Sequence, residues 1–130
     1  MRVMLIVAAA ALTLAGAEPR AQGGFPPASF ANLRVLPKGS TPASVIGQMK
    51  SFTGALGVRC QHCHVGEEGM PLDKFDFVSD SKPAKAAARA MLKLVADINT
   101  TLDRDWPGSG KSGRVSCITC HAGRTTPSGR

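Results

Sequence analysis

Tyrosine is absent from the sequence, tryptophan occurs once, and five phenylalanines supply the other aromatic rings. A chain so poor in aromatics has few platforms on which bases could stack, so a nucleic-acid partner is not expected despite the net charge of +7. No stretch alternates apolar and polar residues long enough to predict a strand. Apolar side chains are thin for a core, in a chain rich in alanine, glycine and proline. At 130 residues one domain is expected, and small domains bury a smaller share of their surface than large ones. A large apolar cofactor would provide what the side chains lack.

The one continuous apolar run lies at the start. Arg2 precedes VMLIVAAAALTL, and Ala15-Gly16-Ala17 follows with the small residues of a cleavage site. The pattern predicts a secretory signal peptide over residues 1–17, and the run is short for a membrane span. No cysteine follows it, which argues against a lipoprotein. The predicted address is periplasmic, free or in association with a membrane complex. Residues 18–31, rich in Pro, Gly and Ala, read as a flexible arm, and residues 32–130 as the functional domain.

Cysteine is scarce, and all of it is committed. The four cysteines fall in two copies of one pattern, Cys60-Gln-His-Cys63-His64 and Cys117-Ile-Thr-Cys120-His121. In an exported chain, Cys-x-x-Cys-His is the signature of c-type haem attachment. Two thiols one turn apart add across the porphyrin vinyl groups, and the adjacent histidine is placed beneath the iron as proximal ligand. Two motifs predict two covalently bound haems c. A zinc site drawn from Cys60, Cys63, Cys117 and Cys120 would explain the pairs but not the repeated trailing histidine. Disulfides within Cys-x-x-Cys turns would be strained and typical of redox dithiols, whose fold this chain does not suggest.

Two helices are legible. Thr41 can cap one that Pro42 opens, with Val45, Ile46, Met49, Phe52 and Leu56 at helical spacing and Gly54 and Gly57 at its end. A second is expected to begin at a cap on Asp80 or Ser81, with Pro83 in its first turn. Its apolar stripe is Ala84, Ala88, Met91, Leu92, Val95 and Ile98. Lys82, Lys85, Arg89 and Lys93 gather on another face, which reads as solvated, with a docking surface as the alternative. Residues 65–80 and 99–116 read as irregular.

The irons' distal ligands are sought among three methionines. Met49 and Met91 sit on helix stripes before the two motifs; Met70, in a loop beside Pro71, ranks below them. Methionine packed on a helix is an effective axial ligand that raises the reduction potential, although soft side chains also fill helix stripes as core. His62 lies on the cysteine turn itself and is set aside.

With these residues in view, NLRVLPKG, the segment FTGALGVRCQHCHV and the later DFVSDSKPAKAAARAMLKLVADIN resemble the multihaem cytochrome c subunits of photosynthetic reaction centres and the small exported cytochromes built on the same haem-binding domain. The resemblance covers residues 32 to 99 and returns at Cys117–His121. It implies a mostly α fold, helices and loops around two covalently attached haems with little or no sheet. It also implies Met49 opposite the haem of Cys60, Cys63 and His64, and Met91 opposite that of Cys117, Cys120 and His121. The expected function is electron transfer between redox partner proteins, acidic or membrane-bound, with no catalytic residues and no small-molecule substrate. The alternatives are a haem enzyme or sensor with one open iron and a zinc-binding structural module.

Overall fold

The computed structural model describes residues 24–108 and 114–127. The expected signal peptide and the beginning of the expected arm lie outside the described residues. The chain is mostly helical, and among the described residues the one β contact is an isolated antiparallel bridge between Val65 and Asp76. No described helix is long and apolar enough to cross a membrane.

The first helix, α1, runs over Pro42–Leu56 and begins as its sequence dictates. The Thr41 hydroxyl accepts from the Ser44 N–H at 3.3 Å, satisfying one of the free donors of the first turn. Gly57 ends the helix in the left-handed region at φ 65°, where a side chain would be strained. Val45 and Ala55 are the buried apolar residues among those described; Ile46, Met49, Phe52 and Leu56 are half-buried. Side chains alone thus bury little at the centre of this molecule.

The second helix, α2, spans Pro83–Asp105 and departs from expectation at both ends. Lys82 occupies the cap position and no side chain caps the helix, so neither Asp80 nor Ser81 does what the sequence suggested. Asp80 serves another purpose: its carboxylate meets Arg34 at 3.2 Å, Lys85 at 3.1 Å and Arg89 at 2.9 Å, and accepts from the Asn32 amide at 2.8 Å. At its other end α2 continues through Asn99 to Asp105, a stretch read as irregular. The Asn99 amide explains the extension, donating to the Val115 carbonyl at 2.9 Å while its oxygen accepts from the Val115 N–H at 2.8 Å. A helix that ended earlier would forfeit this two-point clamp.

The basic face of α2 is also a correction. Lys85 is 8% exposed, and its ammonium donates to the carbonyls of Phe77, Val78 and Ser79 at 2.9, 3.1 and 2.7 Å. Lys82 donates to the Gln61 carbonyl, and Arg89 to that of Asn32. A buried ammonium is tolerable only when its donors are satisfied; here the loop over residues 77–79 supplies carbonyls and Asp80 the countercharge. Lys82, Lys85 and Arg89 therefore gather the chain, whereas Lys93 faces solvent as expected.

A short helix, α3, covers Cys117–His121 and packs against α1. The Ser116 N–H donates to the Thr119 hydroxyl at 3.0 Å at its start. The turn after it passes through Ala122 and Gly123, both at positive φ. The Gly123 N–H then donates to the Ala55 carbonyl at 2.9 Å. A Cβ on Gly57 would overlap the Gly123 carbonyl oxygen, so backbone meets backbone where the two cysteine motifs approach each other.

Candidate functional site

Each cysteine motif is a tight turn, but the two turns are built differently. Cys60–His62 form a single 3-10 turn, and the N–H groups of Cys63 and His64 both donate to the Cys60 carbonyl, at 3.2 and 3.0 Å. The second motif is α3 itself. Both arrangements place the paired cysteines one turn apart and bring the histidine round directly after them. All four thiols are free, with no disulfide. They do not gather with His, Asp or Glu into any group of three or more that could hold a metal ion, among the described residues. The thiols thus stand as two separate pairs rather than as one four-thiol group of the kind a structural zinc site uses.

His64 is half-buried, and its ring meets the Phe77 ring edge-on at 4.9 Å between centroids. Phe77 stacks in turn on Phe75 at 5.5 Å, and Phe25, from the segment expected to be an arm, lies 5.6 Å from Phe77. Gly66 admits this cluster, since a Cβ there would stand 2.5 Å from the Phe75 ring. Burial above all, then the nearby Lys85 and Arg89 charges, push the His64 imidazole down to about 4, with Asp76 opposing. The ring is therefore neutral at physiological pH, the form in which imidazole binds a metal. Its Nδ1 is buried with no hydrogen-bond partner among the described residues. Burial also raises the Cys63 thiol.

His121 differs in one respect that matters chemically. Its Nδ1 lies 2.9 Å from the Arg124 carbonyl oxygen. A carbonyl only accepts, so the proton sits on Nδ1 and Nε2 keeps the lone pair that a metal requires.

Between α1, α2 and α3 lies an open apolar cavity. Met91, His121, Cys117 and Cys63 line it together with Phe52, Leu56 and the alanines of the α2 stripe. The structure thus unites four of the eight sequence-predicted site residues around one space. His62, set aside on sequence grounds, lines the same cavity. A second opening, between Gln48, Gly54, Leu92, Val95, Val115 and Ile118, reaches Cys117 from another side. Cys60, Cys120, His64 and Met49 line neither. Met49 stands half-buried on α1, and Met70 half-buried in the loop. The residues missed from sequence are Asp80, Asn99 and the Gly57–Gly123 contact; no local pattern marks them, because each acts on a distant segment.

A mostly helical frame carrying two Cys-x-x-Cys-His turns beside an apolar cavity, with a neutral histidine at one turn, is that of a c-type cytochrome, a class that implies covalently bound haem c and electron transport. Residues 44–129 match the model of the family described as the photosynthetic reaction centre cytochrome C subunit, and the chain belongs to that family. It is 38% identical over 91 residues to cytochrome c-554 of Chloroflexus aurantiacus, an alignment covering 69% of this chain and 20% of that protein. It is 28% identical over 107 residues to the photosynthetic reaction center cytochrome c subunit of Rubrivivax gelatinosus, covering 71% of this chain and 28% of that one. The chain therefore spans less than a third of the length of either relative. No solved structure matches.

Proposed function

We propose that the protein is an exported dihaem cytochrome that passes electrons between redox proteins. Cys60 and Cys63 would hold one haem with His64 as proximal ligand, and Cys117 and Cys120 the other with His121. Met91 supplies the distal ligand of the second site and Met49 that of the first. When bound, haem c supplies a one-electron couple at each site.

The observation that carries this reading is the meeting of Met91 and His121 around one apolar cavity that also contains Cys117. The two side chains come from α2 and α3, and no local sequence rule brings them together. The protein's own part is positional. α3 presents the second pair of thiols, the Arg124 carbonyl fixes the His121 tautomer, and the Asn99 clamp on Val115 holds the start of that motif against α2. Phe52, Leu56 and the α2 alanines keep the space apolar, so that little solvent must reorganise when charge changes. Excess positive charge favours an acidic partner surface, on a protein or a membrane complex.

Mass spectrometry of the exported protein should show the added mass of two covalent haems; one or none removes the dihaem reading. Met91→Ala should abolish the methionine–iron absorption of one haem and leave that of the other, and an unchanged spectrum would exclude Met91 as a ligand. A second reading, a haem enzyme or sensor with an open iron at the first site, draws on Met49, which lines neither cavity. Carbon monoxide binding by the reduced wild-type protein would favour it, and no binding favours the carrier.

A further inference from the structure

The two attachment sites are alike in sequence and unlike in surroundings. Three differences act on the iron that each histidine would bind, and all three have the same sign.

The first is the hydrogen bond on the histidine's far nitrogen. His121 Nδ1 donates to the Arg124 carbonyl, whereas His64 Nδ1 is buried without a partner among the described residues. A hydrogen bond to a carbonyl makes an imidazole a stronger electron donor, which stabilises the oxidised, more positive metal. His121 has this support and His64 lacks it.

The second is charge. The Lys82 ammonium donates to the carbonyl of Gln61, between the two cysteines of the first motif. Lys85 donates to the Phe77 carbonyl, the Phe77 ring meets His64 edge-on, and Arg89 shares Asp80 with Lys85. Asp80 answers Lys85, Arg89 and the more exposed Arg34, so it offsets one of these positive charges and not all of them. Asp76, whose N–H donates to the Val65 carbonyl next to His64, is the other acid near the first motif. Around the second motif, Arg114 is paired with Asp103 at 2.7 Å and Arg124 is exposed, where solvent and salt screen it. Positive charge in a poorly screened place opposes the extra charge of an oxidised iron.

The third is polarity. Phe77 packs edge-on against His64, with Phe25 and Phe75 against Phe77 in turn, while α3 carries Ile118 at 53% exposure and an exposed Cys120. Burial among aromatic rings likewise disfavours the more charged, oxidised state.

We propose that the chain makes its two sites unequal, with the surroundings of His64 setting the first to the higher reduction potential and those of His121 setting the second to the lower. An electron received at the second site would then come to rest at the first. One iron loses the electron that the other gains, and no bond or proton moves. The inference rests on the dihaem reading and gives it a direction.

The test uses the full, haem-loaded protein, with its haem count first established by mass. The haem methyl signals in proton NMR are assigned by their proximity to Phe77 or to Ile118 and followed as the potential is lowered stepwise. The haem near Phe77 should be reduced first. Reduction of the haem near Ile118 first, or of both together, would overturn the assignment. In Lys82→Gln, which removes a cation without touching the Asp80 cluster, the first step should move to lower potential while the second stays. Arg89→Gln should do the same. A first step that does not move in either variant, or two steps that move equally, would also overturn it. Fewer than two haems would remove the dihaem reading and this inference together, whereas two haems with the order reversed would remove the inference alone.

Discussion

Single residues set the limits within which the motifs work. Gly57 is the clearest case, since a left-handed φ and a facing carbonyl both forbid a side chain. Gly57→Ala should lower the unfolding free energy of the haem-loaded protein by about 2 kcal/mol or more, because the backbone strain alone is of order 1–2 kcal/mol and the Gly123 carbonyl must also move. Guanidinium denaturation of the two proteins would measure it. Asp80 makes a different kind of prediction. Its hydrogen bond with Arg89, followed by those with Lys85 and Asn32, holds its carboxyl well below the usual carboxylate range. A carboxylate depressed on folding contributes stability that is complete above its unfolded value of about 4 and is lost as pH falls below that toward the folded value. The wild-type protein should therefore lose thermal stability on acidification below about pH 4. Asp80→Asn should start from a lower melting temperature at neutral pH and show a flatter acid limb. An unchanged acid limb would mean that Asp80 is not a source of this dependence.

At the scale of elements, the sequence was most legible where the physics is local. Thr41, Pro42 and Gly57 mark the ends of α1, and each does so through its own backbone or side-chain chemistry. The ends of α2 could not be read in that way. Asp80 and Ser81 are good cap residues in isolation, but Arg34 and Asn32 from a distant segment, together with Lys85 and Arg89 of α2 itself, claim Asp80. Asn99 is a poor helix residue by propensity, yet it stays helical because Val115 returns both its hydrogen bonds. Asn99→Ala should improve the intrinsic helicity of α2 while lowering stability by about 1–3 kcal/mol, the range for leaving partly buried backbone groups unpaired. It should also speed hydrogen exchange at the Val115 amide. Increased stability with unchanged exchange would show that the clamp is not formed in solution.

For the molecule as a whole, the thin apolar composition has its counterpart in the fold: Val45 and Ala55 are the buried apolar residues among those described, and a mostly α chain leaves Met91, Leu94, Trp106 and Ile118 substantially exposed. A domain with so small a side-chain core depends on what fills the space between its helices. The net charge of +7 acts at this scale too. Partner reduction should slow by several-fold as ionic strength rises from about 10 to 300 mM, because steering falls with the screening length. Stopped-flow rates against salt would show it, and a flat response would exclude charge-steered docking.

The sequence by itself determined the two thiol–histidine turns, the mostly helical class and the family, because these follow from residue type and spacing over a few positions. It also put Met91 on an apolar stripe, since helical periodicity is a local property. Only the tertiary structure decided that Met91, His121, Cys117 and Cys63 share one cavity, that His62 joins them, and that Lys85 is buried rather than solvated. It alone gave His121 a carbonyl partner and His64 none among the described residues. The physical reason is partly range, since caps, turns and periodicity act over four or five residues whereas cavity lining joins segments tens of residues apart; the Lys85 and His121 partners lie close in sequence but depend on loop conformations that propensity does not give.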